Sequence, residues 1–488
     1  MYQHRKFPGL WYAMVLVTIL TVLSTSACSP ATTPTAAPPT AAPAATQPSA
    51  NTSAPAPTQP VPSGKITVQI WGGPPDIDSL KAAFADFNKI YPQITIDVQV
   101  PNTACGVDFP TCKTLQATGS MPDVFVPGIW TYNELVNSGL VENLTSYMQR
   151  DGVALTDYEP VVAESMKALK DGQVYALPMG MNVQSFYYNK GMFDKAGLAY
   201  PPANGNFTWD DVRAWSKKLT LDKSGNNAES PNFDSKHIKQ WGFTPFIGFS
   251  AGTPQTTEVI MRAFGGSIMT LPDRTKCNLD SPETLKALQF IQDWMYKDHT
   301  MVTPADEQEQ LGFLRWVAGQ VAMQSLDHSQ VPLIKANNPT LNYGITAEPK
   351  GPAGNATLIQ THFWSMYSGS KKKDAAWLLI KWLGTEGQLT LHGDSTQMGL
   401  IPTYKKAYEG PVFLQHAGEP ANLKEAQIDP LQWKLVTFPS QYNAKSGQIA
   451  SADGFGAAID AIRLGQKSPQ DAVAGVCSKV NTIMGSGN

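Results

Sequence analysis

The stretch Lys65-Ile66-Thr67-Val68-Gln69-Ile70-Trp71 alternates apolar and polar side chains. Asp78 to Ile90 follows, with Leu80, Ala83, Phe84 and Phe87 spaced to share one helical face, and Ile94 to Val100 alternates again. A period of two marks a strand and a period near 3.6 a helix, so the order is strand, helix, strand. Such a unit joins parallel strands by a crossover and places the chain among the layered α/β folds. The same reading predicts strands at 123–126, 174–177, 183–188, 319–324 and 362–367. It predicts helices at 209–219 behind a Thr208 cap, at 281–297, at 371–383, and a final one over 468–484 with Pro469 in its first turn.

Ahead of this body, His4, Arg5 and Lys6 precede an apolar run from Leu10 to Leu23, which ends in Ser24-Thr25-Ser26-Ala27-Cys28. A membrane span needs about 20 apolar residues, whereas a positive start, a shorter greasy core and small residues describe an export signal over residues 1–27. Small residues before a cysteine resemble the lipobox of bacterial lipoproteins, with Thr25 where that family usually has Leu. The resemblance implies lipidation of Cys28 and an extracytoplasmic protein anchored to the outer face of the cytoplasmic membrane. An ordinary secretory signal with an incidental cysteine is the alternative. Residues 29–64 hold only Ser, Pro, Ala, Thr, Gln, Asn, Val and Gly. Without charge or aromatics such a segment cannot bury enough apolar surface to offset the entropy of ordering. It reads as a tether that spans on the order of 100 Å when stretched at about 3.1 Å per residue.

From Lys65 onward about 420 residues remain, too many for one ordinary core and suited to two lobes. Net charge is −3 and charged residues make up 16% of the chain, below the usual ~25%. No basic patch argues for nucleic acid. The low charge density and the tryptophans suit a neutral, hydroxyl-bearing ligand. Besides Cys28 there are Cys105, Cys112, Cys277 and Cys477. An even count in an exported chain reads as two disulfides. Cys105 and Cys112 bracket a short loop with turn residues and pair locally, which leaves Cys277 for Cys477. A zinc site is the alternative, but neither pair has zinc-knuckle spacing and no histidine lies beside them.

Several segments occur in one order: Trp71-Gly72-Gly73, Met121-Pro122-Asp123-Val124-Phe125, a 135–144 helix stopped at Gly139, and Asp171-Gly172-Gln173-Val174-Tyr175-Ala176-Leu177-Pro178. Then come Ser185-Phe186-Tyr187-Tyr188-Asn189-Lys190, Thr208-Trp209-Asp210-Asp211, Gly319-Gln320-Val321-Ala322-Met323, Gly351-Pro352, the 371–382 helix and Gly399-Leu400-Ile401-Pro402. Over residues 65–485 this set resembles the extracellular solute-binding proteins, family 1, of ABC importers. The resemblance implies a periplasmic-binding-protein-like fold: two α/β lobes joined by hinge crossovers, with the ligand cleft between them. It implies an N-terminal lobe of 65–178 and 358–401 and a C-terminal lobe of 179–357 and 402–485, with crossings near Pro178, Leu358 and Pro402. It also implies a monomeric, non-catalytic receptor without cofactor or metal, which hands a carbohydrate, an oligosaccharide, to the permease subunits.

A sugar needs flat aromatic surface for its C–H faces and amides or carboxylates for its hydroxyls. Trp71 stands at the carboxyl end of the first strand, where open α/β sheets gather ligands. By the resemblance, Asp123 bonds sugar hydroxyls, with a turn-capping role as the alternative, and Trp130 is a second stacking ring. Asn182 and Gln184 lie at the cleft wall just past the first crossing. Asp327 and His328 follow the 319–326 strand and depart from the glycine or aromatic ring common in relatives. His362 and Trp364 lie on the strand that returns to the first lobe. Phe249 and Tyr442 are further aromatic candidates, and Trp209 reads as packing. One motif points elsewhere: Gly248-Phe249-Ser250-Ala251-Gly252 has the form of a nucleophile elbow, with Asp327 and His362 or His392 downstream. A lipid-anchored serine esterase is therefore the alternative, but Pro245 interrupts the strand an elbow needs and no glycine-rich oxyanion segment precedes it.

Overall fold

The computed structural model describes residues 62–71, 74–129, 131–168, 170–245, 255–271, 273–392, 399–414, 420–433, 435–437, 446–451 and 454–485. The apolar leader, Cys28, the tether, Trp130, Tyr442 and the 248–252 motif with Phe249 and Ser250 lie outside the described residues. The strands, in chain order, are β1 Gly64–Gln69, β2 Ile94–Gln99, β3 Val124–Phe125, β4 Ala176–Val183, β5 Ser185–Asn189, β6 Leu221–Asp222, β7 Ile238–Thr244, β8 Val321–Leu326, β9 Tyr343–Thr346, β10 Lys350–Gly351, β11 Gly354–Met366 and β12 Leu435–Thr437. The helices used below are α1 Pro74–Ile90, α2 Phe109–Ala117, α3 Trp209–Leu219, α4 Gln255–Ala263, α5 Pro282–Tyr296 and α6 Lys373–Gly384.

Two sheets organise the protein. The first has seven strands along the path β10-β11-β3-β1-β2, with β4 and β12 also on β11; the second has five, in the order β6-β7-β8-β5-β9. β1 runs parallel to β2 and β3, and α1 links β1 to β2 with Leu80, Ala83, Phe84 and Phe87 buried, as its spacing predicts. In the second sheet β7 and β8 are parallel, while β5 is antiparallel to both β8 and β9. Thr208 accepts from Asp211 N and Asp211 returns the bond, a capping box that starts α3. Ser281 caps α5. Trp209 is fully buried against Phe243 and Trp294. Both disulfides form, Cys105–Cys112 in the first core and Cys277–Cys477 in the second.

The structure departs from the predicted elements at β4, at β11 and at the final helix. β4, expected to stop at Leu177, continues through Pro178 and Gly180 to Val183. Pro178 lacks an N–H, and the β4–β11 ladder shifts register between His362 and Phe363, where Phe363 meets Pro178. Gly180 is required by closeness: a Cβ there would come 2.9 Å from His392 Cε1. The strand predicted at 183–188 is therefore the end of one strand and the start of another, and the change of sheet falls at Gln184. β11, expected from His362, begins at Gly354 and exchanges β12 for β4 as its partner after Leu358. The final helix is two, Pro469–Val473 and Val476–Gly485, broken at Gly475, whose φ of 75° is left-handed. Among the described residues no helix is long and apolar enough to cross a membrane.

Candidate functional site

β4 brings the two sheets together, and polar groups collect along its last turns of pleat. Trp71 lies half-buried just past β1, its indole Nε1 donating to Val126 O at 2.9 Å. Its ring centre is 6.2 Å from that of His362. His362 pairs with Gly180 across the β4–β11 ladder, and its Nε2 lies 3.4 Å from Asn182 Nδ2. Burial pulls the imidazole down to about 4, so near neutral pH it is an uncharged acceptor here. Asn182 is buried, and its Oδ1 has no hydrogen-bond partner among the described residues.

Gln184 marks the change of sheet. Its backbone N–H donates to Leu358 O at 2.9 Å, its carbonyl accepts from Thr357 Oγ1 at 2.9 Å, and its Nε2 donates to Thr256 Oγ1 of α4 at 3.2 Å. The side-chain Oε1 has no partner among the described residues. Facing it is Glu348, fully buried just past β9. Ser325 Oγ donates to Glu348 Oε2 at 3.1 Å, and Oε1 has no hydrogen-bond partner among the described residues. Burial pushes this carboxyl up to about 8, with Ser325 and Gln184 partly offsetting the rise. At neutral pH Glu348 is therefore an uncharged acid, able to donate as well as accept.

Asp327 and His328, at the end of β8, have different surroundings. Asp327 is buried and takes the backbone N–H of Ser329 at 3.0 Å, together with the Ser329 hydroxyl, so it closes the turn after the strand. Burial holds it up at about 6. His328 has no exposed surface and is pulled down to about 3 by burial, which a hydrogen bond with the Gln427 side chain partly opposes. Its ring centre is 6.0 Å from that of Phe413. His392, close enough to depress the charge on His328, bonds Met179 O through Nε2 at 2.8 Å.

Two expected contacts are corrected. Asp123 has both carboxyl oxygens engaged within the first sheet: Oδ2 accepts from Thr67 N at 2.9 Å and Thr67 Oγ1 at 3.1 Å, and Oδ1 accepts from Ser370 Oγ at 2.6 Å. It sits level with Thr67, since Val124 pairs with Val68, and four residues of strand, about 13 Å, separate that level from Trp71. In this arrangement it ties β3 to β1 and to Ser370. Trp364 has no exposed surface and packs in the core of the first sheet opposite Leu177. Missing from the expected set were Glu348, Thr256 and Gln427, none of which stands in a motif. Glu348 leaves one trace, a single acid ending the run Gly344-Ile345-Thr346-Ala347. Among the described residues no group of three or more His, Cys, Asp or Glu side chains is arranged to hold a metal.

The sequence pattern of the bacterial extracellular solute-binding proteins matches residues 72–389. The chain belongs to that family. This solute-binding protein is 25% identical over 417 residues to a binding protein of Brucella abortus (strain 2308), covering 84% of this chain and 90% of the other. It is 25% identical over 316 residues to the maltotriose-binding protein of Pyrococcus abyssi (strain GE5 / Orsay), covering 61% of this chain and 58% of that one. An ABC substrate-binding protein from Listeria monocytogenes, in complex with cycloalternan, superposes with a TM-score of 0.70 at 23% identity, covering 87% of this chain and all of the other. Maltose-bound MalE3 of T. maritima superposes at 0.67 and 21% identity, covering 86% and 99%. The periplasmic-binding-protein-like fold, with two α/β lobes and the cleft between them, is thereby established. The esterase alternative has no support: Asp327, its acid, is engaged by Ser329.

Proposed function

We propose that this protein is the extracytoplasmic receptor of an ABC importer and that it captures a carbohydrate, an oligosaccharide, between its two lobes. The observation that carries this reading is the set of buried amide and carboxyl oxygens at Asn182, Gln184 and Glu348 that have no partner among the described residues, with Asn182 reaching the half-buried ring of Trp71 through His362. A buried polar atom without a partner costs about 1–3 kcal/mol, so such a set calls for an occupant that brings hydrogen-bond donors. Sugar hydroxyls bring donors, and the C–H face of a pyranose fits an indole. The likeness to maltotriose-, maltose- and cycloalternan-binding proteins supports the same class. Asn182, Gln184, Glu348 and His362 take hydroxyls, Trp71 takes the sugar face, and His328 with Gln427 closes the second-lobe side.

The lobes divide at Gln184, Leu358 and the segment at Ile401, which exchanges backbone bonds with Met181 at 2.8 Å. Contacts from both lobes are complete only when the cleft is closed, so ligand favours that state. Cys28 carries the lipid, and the chain acts as a monomer that presents its sugar to the permease without catalysis. A thermal-shift screen over mono- and oligosaccharides tests the reading, since a ligand at 100 times its dissociation constant adds about 2.7 kcal/mol. The expected result is a shift with at least one oligosaccharide. A screen in which no sugar shifts the transition, while another solute class does, would overturn it.

A further inference from the structure

The wall that carries Trp71 is held from behind by a loop closed by a disulfide. Cys105 and Cys112 are bonded to each other, and neither has any exposed surface. The backbone N–H of Cys105 donates to Gln69 Oε1 at 2.7 Å, which fastens the loop to the last residue of β1. At the other end of the loop, Asp108 accepts from Thr111 N and starts α2, which places Cys112 in the first turn of a helix.

Gly106 then connects this loop to the segment after β3. Its carbonyl accepts from Gly128 N at 2.8 Å and from Thr131 Oγ1 at 2.5 Å. Its α-carbon lies so close to that segment that a Cβ would fall 1.7 Å from Val126 O, so no other residue fits without moving it. Val126 O is the atom that accepts the Trp71 indole N–H. The loop therefore touches Trp71 from two sides: through Gln69, two residues before it, and through the carbonyl that orients its ring.

We propose that the Cys105–Cys112 disulfide and Gly106 are positioning elements for ligand capture, fixing the Val126 carbonyl and with it the plane of the Trp71 ring. The proposal rests on the carbohydrate reading for what the ring meets. Stacking on an indole depends on the plane of the ring, and cross-linking a short loop removes the alternative backbone paths by which that plane would drift. The other disulfide, Cys277–Cys477, belongs to the second core and makes no contact in this chain of bonds. It supplies the control.

The experiment uses the full chain and three variants: Cys105→Ser with Cys112→Ser, Gly106→Ala, and Cys277→Ser with Cys477→Ser. Maltotriose, maltose, mannobiose and mannotriose are titrated calorimetrically. In parallel, hydrogen exchange of the Trp71 indole, assigned through Trp71→Phe, reports the ring without any ligand. The first two variants are expected to weaken sugar binding by about tenfold or more, equivalent to the loss of one well-made contact, and to speed indole exchange. The third is expected to lower the melting temperature with no change in affinity or exchange. Unchanged affinity and exchange in the first two overturns the proposal, as does an equal loss of affinity in the third, which would trace the effect to general stability. Should the intact protein bind none of these sugars while exchange responds as expected, the positioning of the ring stands, and the carbohydrate reading falls if the wider thermal-shift screen then finds another solute class and no sugar. Gly106→Ala keeps the disulfide, so the test holds if the serine pair fails to fold.

Discussion

Asp123 and Glu348 are carboxyls set beside strands of the two sheets, and the protein treats them in opposite ways. Asp123 is surrounded by donors from Thr67 and Ser370 and has no oxygen left over. Glu348 is sealed more completely, yet beside the Ser325 hydroxyl and the Gln184 side chain its Oε1 has no hydrogen-bond partner among the described residues. A carboxyl whose lone pairs are all taken joins parts of a fold, here β1, β3 and the turn before α6. A buried carboxyl with an empty oxygen costs stability until something arrives to meet it. For these two carboxyls that difference separates scaffold from candidate site where residue type does not, since sequence alone makes Asp123 the better sugar ligand and passes over Glu348.

The comparison breaks first if Asp123 can be removed cheaply. Asp123→Ala leaves the Thr67 N–H and two hydroxyls facing a void, and the expected loss is about 3 kcal/mol of stability. Urea denaturation measures it, and the fraction that stays folded should bind sugar with unchanged affinity. A stable Asp123→Ala protein that no longer binds would return Asp123 to the site.

Glu348 sharpens the comparison through pH. An ordinary glutamate titrates near about 4.3, and burial raises Glu348 to about 8. The folded state thus holds a proton that the unfolded state releases, so stability is full below the unfolded value and is lost as pH rises through the folded one. One such proton gives a slope of about 1.4 kcal/mol per pH unit, or roughly 2 kcal/mol between pH 6 and 8. His328, His362 and His392, all pulled down by burial, act in the opposite sense below about pH 6.5. Asp327, held up at about 6, has lost its contribution before the window opens. Melting temperature should therefore peak near pH 6.5 and fall toward pH 8, and Glu348→Gln should flatten the alkaline limb. An unchanged limb in that variant would assign the slope elsewhere.

At Gln184 the effect is read in affinity. Gln184→Ala removes an oxygen that has no partner among the described residues together with the Nε2 bond to Thr256 Oγ1, so the empty protein loses only about 1 kcal/mol of stability while sugar binding weakens by about tenfold. Calorimetric titration beside a melting curve separates the two. A large loss of stability with intact binding would make Gln184 a structural crossing residue like Asp123.

Much of the first lobe could be read from local pattern. β1, α1 and β2 follow from periodicity and Cys105–Cys112 from its short loop, and in the second lobe the Thr208 cap follows from residue type and Cys277–Cys477 from elimination. What escaped reading depended on partners far away in the chain. β4 contains Pro178 and Gly180, both of which look like breakers until β11 supplies a register shift for one and His392 fills the space beside the other. Asp123 meets Thr67 and Ser370, 56 and 247 residues away. Glu348 is marked only by burial, a property of the assembled sheets. The final helix shows the reverse error, where a helical pattern ran across Gly475 and its left-handed backbone stopped it.

The smallest expected effect is a control on the second lobe. Thr208 and Asp211 exchange bonds at the start of α3, at 2.8 Å from Thr208 N to Asp211 Oδ2 and 3.0 Å from Asp211 N to Thr208 Oγ1. Both side chains contact solvent, so the groups freed by Thr208→Ala find water, and the loss is that of an ordinary N-cap, about 1 kcal/mol. The helix packs through Trp209, Val212 and Leu219, none of which borders Gln184 or Glu348 in the contacts described above, so sugar affinity should not change. Melting and titration of the one variant decide the point. A fall in affinity from a lost surface cap would mean that binding follows global stability, and the contrast between a satisfied scaffold and an unsatisfied site would then explain less than the geometry suggests.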